Sequence, residues 1–244
     1  MSHEVARYRP RQSASTLSGL PALLNCLSER ELAVLSDSYR GFGYKKGTVL
    51  YHANAANVPV LFIRTGLVCS QTYEETGESL IAQLFGPNSL VFPGYSTGGR
   101  GGFDFVGLSP GFALSWPAAT LKQVLTSNAV FATRVLDLML SRRHEDAANI
   151  ARARSCSLEK RLALFYWSLA EVREGSVRHF PNTIPQKAIA AFLGTSREEV
   201  SRKTSLLEKA GYLKLEANGM SLDDEICQLF FMSAHEPAMR SRFA

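Results

Sequence analysis

Arg197, Glu198, Ser201, Arg202 and Ser205 carry the most pointed polar chemistry of the segment Thr183 to Leu215, TIPQKAIAAFLGTSREEVSRKTSLLEKAGYLKL. At about 100 degrees per residue they fall within a helical arc of roughly 140 degrees, and none of them is apolar. An arginine fork matches the O6 and N7 acceptors of guanine, and a glutamate accepts from the N4 amine of cytosine. This is a set of side chains suited to base edges in the major groove. Ordinary solvated charge on a surface helix is the other reading of SREEVSRK. The context weighs against it, because Glu216 to Met220 follow as a hairpin with an Asn218-Gly219 turn, which completes a winged helix-turn-helix.

The elements needed to hold that face are legible nearby. Thr183 with Gln186 reads as a capping box, with Pro185 in the first turn of a helix that ends at Leu193 and Gly194. Gly194 suits the left-handed residue of a tight turn. Ser196 with Glu199 reads as a second capping box, so the next helix opens after three residues. Val200, Thr204 and Leu207 lie on its other flank, where with Ile189, Leu193 and Leu213 they can bury the back of the unit. Gln186, Thr195, Ser196 and Lys203 are candidates for phosphate contacts, which position a protein on DNA without reading sequence.

GTSREEVSRKTSLLEKAGYL resembles the helix-turn-helix of the Crp/Fnr superfamily of bacterial transcription regulators. The resemblance implies that Arg197, Glu198 and Arg202 read a TGTGA-type half-site, and Ser201 resembles the serine of Fnr-type members, which points to a TTGA-type variant. It also implies a homodimer on a palindromic site, an activator with RNA polymerase as a partner, and an N-terminal domain of the cyclic-nucleotide-binding type.

That N-terminal domain has support in the residues. From Gly47 to Trp116, short apolar runs (Thr48 to His52, Val60 to Arg64, Leu67 to Tyr73, Ser79 to Phe85) alternate with turns that contain glycine or asparagine, an antiparallel β signature. With the preceding LLNCLSERELAVL, where Ser28 and Glu31 cap a helix, GTVLYHANAANVPVLFIRTGLVCS resembles the family's jelly roll, whose strands reverse at glycines such as Gly47 and Gly66. The fold predicted is α+β: a cyclic-nucleotide-binding-like β jelly roll over residues 17–126, a dimerisation helix and hinge over 127–155, and a winged helix-turn-helix over 156–232. Ser127 to Ala153 lacks proline and glycine and reads as one long helix, with Phe131, Val135, Leu138 and Met139 suited to a partner and Arg142 to Asp146 breaking the stripe. The run LEKRLALFYWSLAEVRE is expected to be a helix packing Leu162, Phe165, Tyr166 and Leu169 into the winged domain, and LDDEICQLFFM a closing helix.

The segment Gly86 to Gly111 contains no glutamate, and Arg100 is its only base, flanked by Gly98, Gly99, Gly101 and Gly102. Such a glycine run can turn backbone N–H groups toward an anion or simply form a surface loop. The segment lacks the glutamate and arginine-serine pair of cyclic-nucleotide binders and resembles Fnr-type members, which argues against cAMP or cGMP. A regulator gated by a cyclic nucleotide or another small molecule at residues 98–102, with Arg100 as the effector contact, is the alternative. Phe92, Tyr95, Phe103, Phe105 and Phe112 either line a pocket for a small organic ligand or pack a core.

The N-terminal half holds two cysteines, Cys26 and Cys69, against the four an iron–sulfur cluster normally takes, so no such cluster is expected. Haem would have only His3 and His52 to choose from there, and no metal set is evident. Cys156 and Cys227 complete four dispersed thiols, a usage that suits a reducing cytoplasm, with a redox role for Cys156 left open. The 244 residues are enough for two modest domains, and the formal charge of +5 agrees with a polyanionic partner without requiring one. No apolar run approaches the roughly 20 residues of a membrane span. No P-loop, H-E-x-x-H or G-x-S-x-G motif points to an enzyme.

Overall fold

The structure is a computed structural model that describes residues 22–53, 55, 59–73, 77, 79–93, 102–174, 177–181, 184–216 and 219–223. The chain divides into two compact units, residues 1–147 and 148–244. In the first, a 3₁₀ turn at Ala22–Cys26 leads into α1 (Glu29–Ser38) and then β1 (Arg40–Tyr44), β2 (Val49–Tyr51), β3 (Pro59–Thr65) and β4 (Val68–Tyr73). Strands β5 (Ser79–Phe85), β6 (Ser89–Val91), β7 (Asp104–Gly107) and β8 (Gly111–Pro117) follow, then α2 (Ala118–Ser127) and α3 (Ala129–Ser155), whose last residues belong to the second unit. The strands make two four-stranded sheets, ordered β1-β8-β3-β6 and β2-β7-β4-β5. Every pairing in them is antiparallel, which gives the jelly roll expected.

The run VLFI in β3 shows how the core divides. Successive side chains of a strand point to opposite faces. Leu61 and Ile63 therefore join Val68, Phe85 and Phe105 between the sheets. Val60 and Phe62 face the other way, onto Leu35, Leu121 and Phe131 from the three helices. A strand covered on both faces reads as a continuous apolar run, and each such buried side chain contributes about 1.5 to 3 kcal/mol. Gly66, at φ 83°, reverses the chain between β3 and β4 where an added Cβ would stand 2.5 Å from the Pro110 carbonyl oxygen.

Several boundaries differ from the sequence reading. The long helix starts at Ala129, because Ser127 ends α2, an element the sequence reading passed over. Asn128 breaks the chain between them. Its Oδ1 accepts from the Phe131 N–H at 2.9 Å, and its Nδ2 donates to the Cys26 carbonyl at 3.2 Å and to the Glu31 carboxylate at 3.0 Å. Phe131 and Val135, expected to meet a partner, are buried in the unit's own core. No single helix among the described residues is long and apolar enough to cross a membrane. The pair α2 and α3 passes that test only together, across a 119° bend.

The second unit contains α4 (Leu158–Leu169), β9 (Glu171–Glu174), β10 (Val177–Pro181), α5 (Gln186–Leu193), α6 (Arg197–Lys209), β11 (Leu213–Glu216) and β12 (Gly219–Asp223). The strands form one sheet, β11-β12-β10-β9. Helix α4 was expected to run on through the EVRE segment. It stops at Leu169, and Glu171–Glu174 instead pairs with β10. The wing register sets Glu216 opposite Gly219, so Gly219 belongs to β12 rather than to the turn, and Ala217 and Asn218 lie outside the described residues. The LDDEICQLFFM segment lies outside them from residue 224 onward, as does Thr183. The N-cap of α5 is Pro185, without a side-chain cap, instead of a Thr183 box with Pro185 in the first turn.

Candidate nucleic-acid interface

Helix α6 presents the polar face because its opposite side is locked down. Val200, Thr204 and Leu207 are buried, together with Ile189, Leu193 and Leu213. Beneath them Leu162, Phe165 and Tyr166 of α4 are buried as well. Thr204 Oγ1 donates to the Val200 carbonyl at 2.8 Å, which leaves its oxygen to accept from the Tyr166 hydroxyl, also at 2.8 Å. Burial pushes the Tyr166 phenol above its ordinary range, offset in part by this bond. The rotation of α6 about its own axis is therefore fixed by a specific polar contact as well as by packing.

The turn that sets α6 against α5 follows the reading closely. Gly194 ends α5 in the left-handed region, at φ 64° and ψ 49°. The Thr195 N–H returns to the Ala190 carbonyl at 3.0 Å, and Arg161 Nη1 donates to the Leu193 carbonyl at 2.8 Å, so two of the orphan acceptors at the end of α5 are satisfied. Ser196 then opens α6 by accepting from the Glu199 N–H at 3.2 Å.

The expected capping box is only half formed. At α1 both reciprocal bonds exist: Ser28 accepts from the Glu31 N–H, and the Glu31 carboxylate accepts from the Ser28 N–H at 2.9 Å. At α6 the Glu199 carboxylate turns forward instead. It accepts from Arg202 Nε at 3.1 Å and Nη2 at 2.7 Å, a two-bond fork on the exposed side of the helix. Each partner stabilises the charged form of the other: the Arg202 bond lowers the Glu199 carboxyl below its ordinary range, and the Glu199 bond raises the Arg202 guanidinium. The sequence reading missed this pair, although acid and base three apart on a helix is a spacing at which side chains meet.

The structure brings Gln186, Arg197, Glu198, Ser201, Arg202 and Ser205 together as the lining of one surface concavity. It thus joins the four residues expected to read bases with one of those expected to touch phosphate. Thr195 and Ser196 sit at the turn beside it. Lys203 is placed differently. It lies on the flank toward α4, where Nζ forms an ion pair with Glu159 and only 15% of the side chain is exposed. That bond draws the Glu159 carboxyl below its ordinary range.

The effector candidate Arg100, with Tyr95 and the Gly98, Gly99 and Gly101 run, lies outside the described residues. Of the aromatics offered as pocket lining, Phe105 packs between the sheets, while Phe92 and Phe112 pack on the helix side, so these three do not line one space. His52 is a surface residue, its Nδ1 3.6 Å from Asp104. Burial pushes the Cys69 thiol up to about 12. Among the described residues no group of three or more histidines, cysteines and carboxylates converges as a metal site.

Residues 160–225 match the family model of the Crp-like helix-turn-helix domain. The "Anaerobic regulatory protein" of Haemophilus influenzae is 26% identical over 212 residues, which is 81% of this chain and 79% of that protein. The protein of the same name from Pasteurella multocida is 25% identical over 82% of this chain and 75% of its own. Among solved structures, FixK2 from Bradyrhizobium japonicum superposes with a TM-score of 0.71 at 16% identity, over 81% of this chain and 98% of that one. A CooA mutant from Carboxydothermus hydrogenoformans superposes at 0.68 and 18% identity, over 88% and 95%.

Proposed function

This chain belongs to the Crp/Fnr family, it is a DNA-binding transcription regulator, and we propose that it acts as a homodimer on a palindromic site of the TGTGA or TTGA kind. The observation that carries the reading is the single concavity on α6, built from two arginines, a glutamate, two serines and Gln186, above a helix flank that is wholly buried. In this reading Arg197 and Arg202 take guanines and Glu198 a cytosine amine, with Ser201 beside them. Gln186, Thr195 and Ser196 touch phosphates at the rim. Lys203 joins them only by exchanging Glu159 for a phosphate.

The homodimer is supported by the face of α3 that the unit's own core leaves open. Leu136, Met139, Leu140 and Ile150 are 54%, 45%, 54% and 56% exposed. With Ala132, Arg143 and Ala147, the positions Leu136, Met139 and Ile150 recur at steps of three or four residues, the spacing of a helix-to-helix seam, and Leu140 lies beside them. Arg143 is the polar interruption in it. A two-fold dimer then places its two recognition helices on half-sites about one helical turn, roughly 34 Å, apart.

The test is equilibrium binding of the purified protein, without added ligand, to a labelled palindromic TGTGA-type duplex and to a scrambled one at physiological salt. Selective binding by a species of dimer mass is expected. Equal affinity for both duplexes would overturn the base-reading assignment, and selective binding by a monomer would overturn the dimer. An activator in the cytoplasm with RNA polymerase as partner is the accompanying proposal. Transcription in vitro from a promoter carrying the site should rise with added protein, and a fall would make the protein a repressor.

A further inference from the structure

We propose that Glu199 competes with DNA for Arg202: it holds the fork in the free protein and on random duplex and releases it to a base edge that replaces both of its hydrogen bonds, and so it limits affinity for the selected site. This rests on the reading of Arg202 as a base contact. Glu199 had an alternative, the reciprocal bond to the Ser196 N–H that completes a capping box, and the equivalent carboxylate at α1 takes that course. Its commitment to Arg202 sets the acid at the edge of the reading face of α6, beside the arginine that lines the concavity and outside the lining itself.

The pair is easily exchanged. Its side chains are 57% exposed for Arg202 and 40% for Glu199, and an exposed pair of this kind is weak and screened by salt. Giving up two good hydrogen bonds for fewer is nevertheless unfavourable. Guanine presents N7 and O6, two acceptors side by side, which match the fork as the carboxylate does. Adenine presents N7 beside the N6 donor, which opposes it. At a guanine, Arg202 recovers both bonds. On random duplex, Arg202 remains neutralised by Glu199 and contributes little to counterion release. Lys203, the next cation on the helix, is likewise held by a carboxylate, that of Glu159. The first two basic residues after Ser201 thus add less to sequence-blind attraction than their formal charge implies.

The experiment compares wild type, Glu199→Gln, Glu199→Ala, Arg202→Ala and the double variant Glu199→Gln/Arg202→Ala. Each is measured on a duplex selected by the wild-type protein from a randomised pool and on a random duplex, across a salt series. Glu199→Gln leaves the Ser196 cap to the backbone N–H in place. Freeing one cation for phosphate is expected to strengthen random binding about twofold at physiological salt and to steepen its salt slope by about 0.9. Affinity for the selected duplex should rise by more, about fivefold, because only there must the wild-type protein break the Glu199 pair, so the ratio of selected to random binding rises. In the Arg202→Ala background the same substitution should leave that ratio unchanged. A gain of equal size on both duplexes, or no gain on the selected one, overturns the role of Glu199, and Glu199→Ala must agree. If Arg202→Ala itself leaves the ratio unchanged, the base-reading role of Arg202 has failed, a result distinct from failure of the Glu199 proposal.

Discussion

Two stretches of this chain carry the same four-residue signature, Ser28-Glu-Arg-Glu31 and Ser196-Arg-Glu-Glu199, and the structure uses them differently. At α1 the signature closes on itself. The Glu31 carboxylate accepts from the Ser28 N–H at 2.9 Å and the Ser28 hydroxyl at 2.8 Å, and it reaches across to Asn128 Nδ2 at 3.0 Å. It thereby ties the start of one helix to the junction of two others. At α6 the serine does the same local work, but the carboxylate goes to Arg202. A capping box spends its acid on the backbone when the surroundings are structural. Where the next turn must offer an arginine to solution, the acid is available for that arginine.

The comparison predicts that the two motifs separate stability from binding, and the largest effect belongs to binding. Arg197→Ala, beside the α6 signature, is expected to cost the selected duplex about 1 to 3 kcal/mol and to relax discrimination at one base pair, with thermal stability unchanged. Equal losses on selected and random DNA would remove Arg197 from the base-reading set. Ser28→Ala is expected to do the reverse. It should lower unfolding free energy by about 1 kcal/mol and leave the ratio of selected to random binding alone. Ser196→Ala should cost less stability than Ser28→Ala, because the Ser28 hydroxyl also donates to the Glu31 carboxylate at 2.8 Å, whereas the Glu199 carboxylate is taken up by Arg202. Chemical denaturation of the two variants side by side measures the difference, and a larger loss for Ser196→Ala would break the comparison.

Titration sharpens it further. The backbone bond from Ser28, then the Asn128 and Ser28 side-chain bonds, hold the Glu31 carboxyl below its ordinary value of 4.5. A depressed carboxyl contributes stability that is present above the unfolded value and is lost as pH falls through the folded one. Between neutrality and about pH 5 Glu31→Gln should therefore unfold more readily than wild type. The two should converge as the pH is taken well below 4.5. Parallel curves down to acid pH would mean that the charge on Glu31 contributes nothing.

How much of this was legible depends on whether the deciding contact was local. The reading face of α6 could be found because a buried flank and a polar flank alternate within one helix, and Gly194 and Ser196 mark the turn beside it. The diversion of Glu199 was visible in principle as a spacing, but two partners competed for one carboxylate, Ser196 N–H and Arg202, and spacing does not rank them. The break at Asn128 depends on Cys26 and Glu31, about a hundred residues away, so SNAVFATRV read as uninterrupted helix. Glu171–Glu174 continued the helical pattern of α4 and became a strand only because β10 was there to pair with it. On α3 two apolar stripes were present. Phe131 and Val135 face the core while Leu136 and Leu140 remain open, and periodicity alone does not say which stripe an enclosing domain will take.

The smallest expected effect concerns Lys203, the second cation held by an acid, and it asks whether that hold survives on DNA. Unlike the Arg202 pair, the Lys203–Glu159 pair joins two helices, with 15% and 32% of the side chains exposed, so replacing it costs packing between α4 and α6 as well as a weak charge contact. DNA must therefore draw Lys203 out of a better-shielded place than the one from which it draws Arg202. Lys203→Ala is expected to weaken selected and random duplexes alike, by no more than about threefold, and to reduce the salt slope by less than the 0.9 of a full phosphate contact. A full reduction would show that Lys203 leaves Glu159 whenever the protein binds. An unchanged slope with a lowered melting temperature would make Lys203 a fastening between α4 and α6, and would leave phosphate anchoring on this side of the helix to Gln186, Thr195 and Ser196.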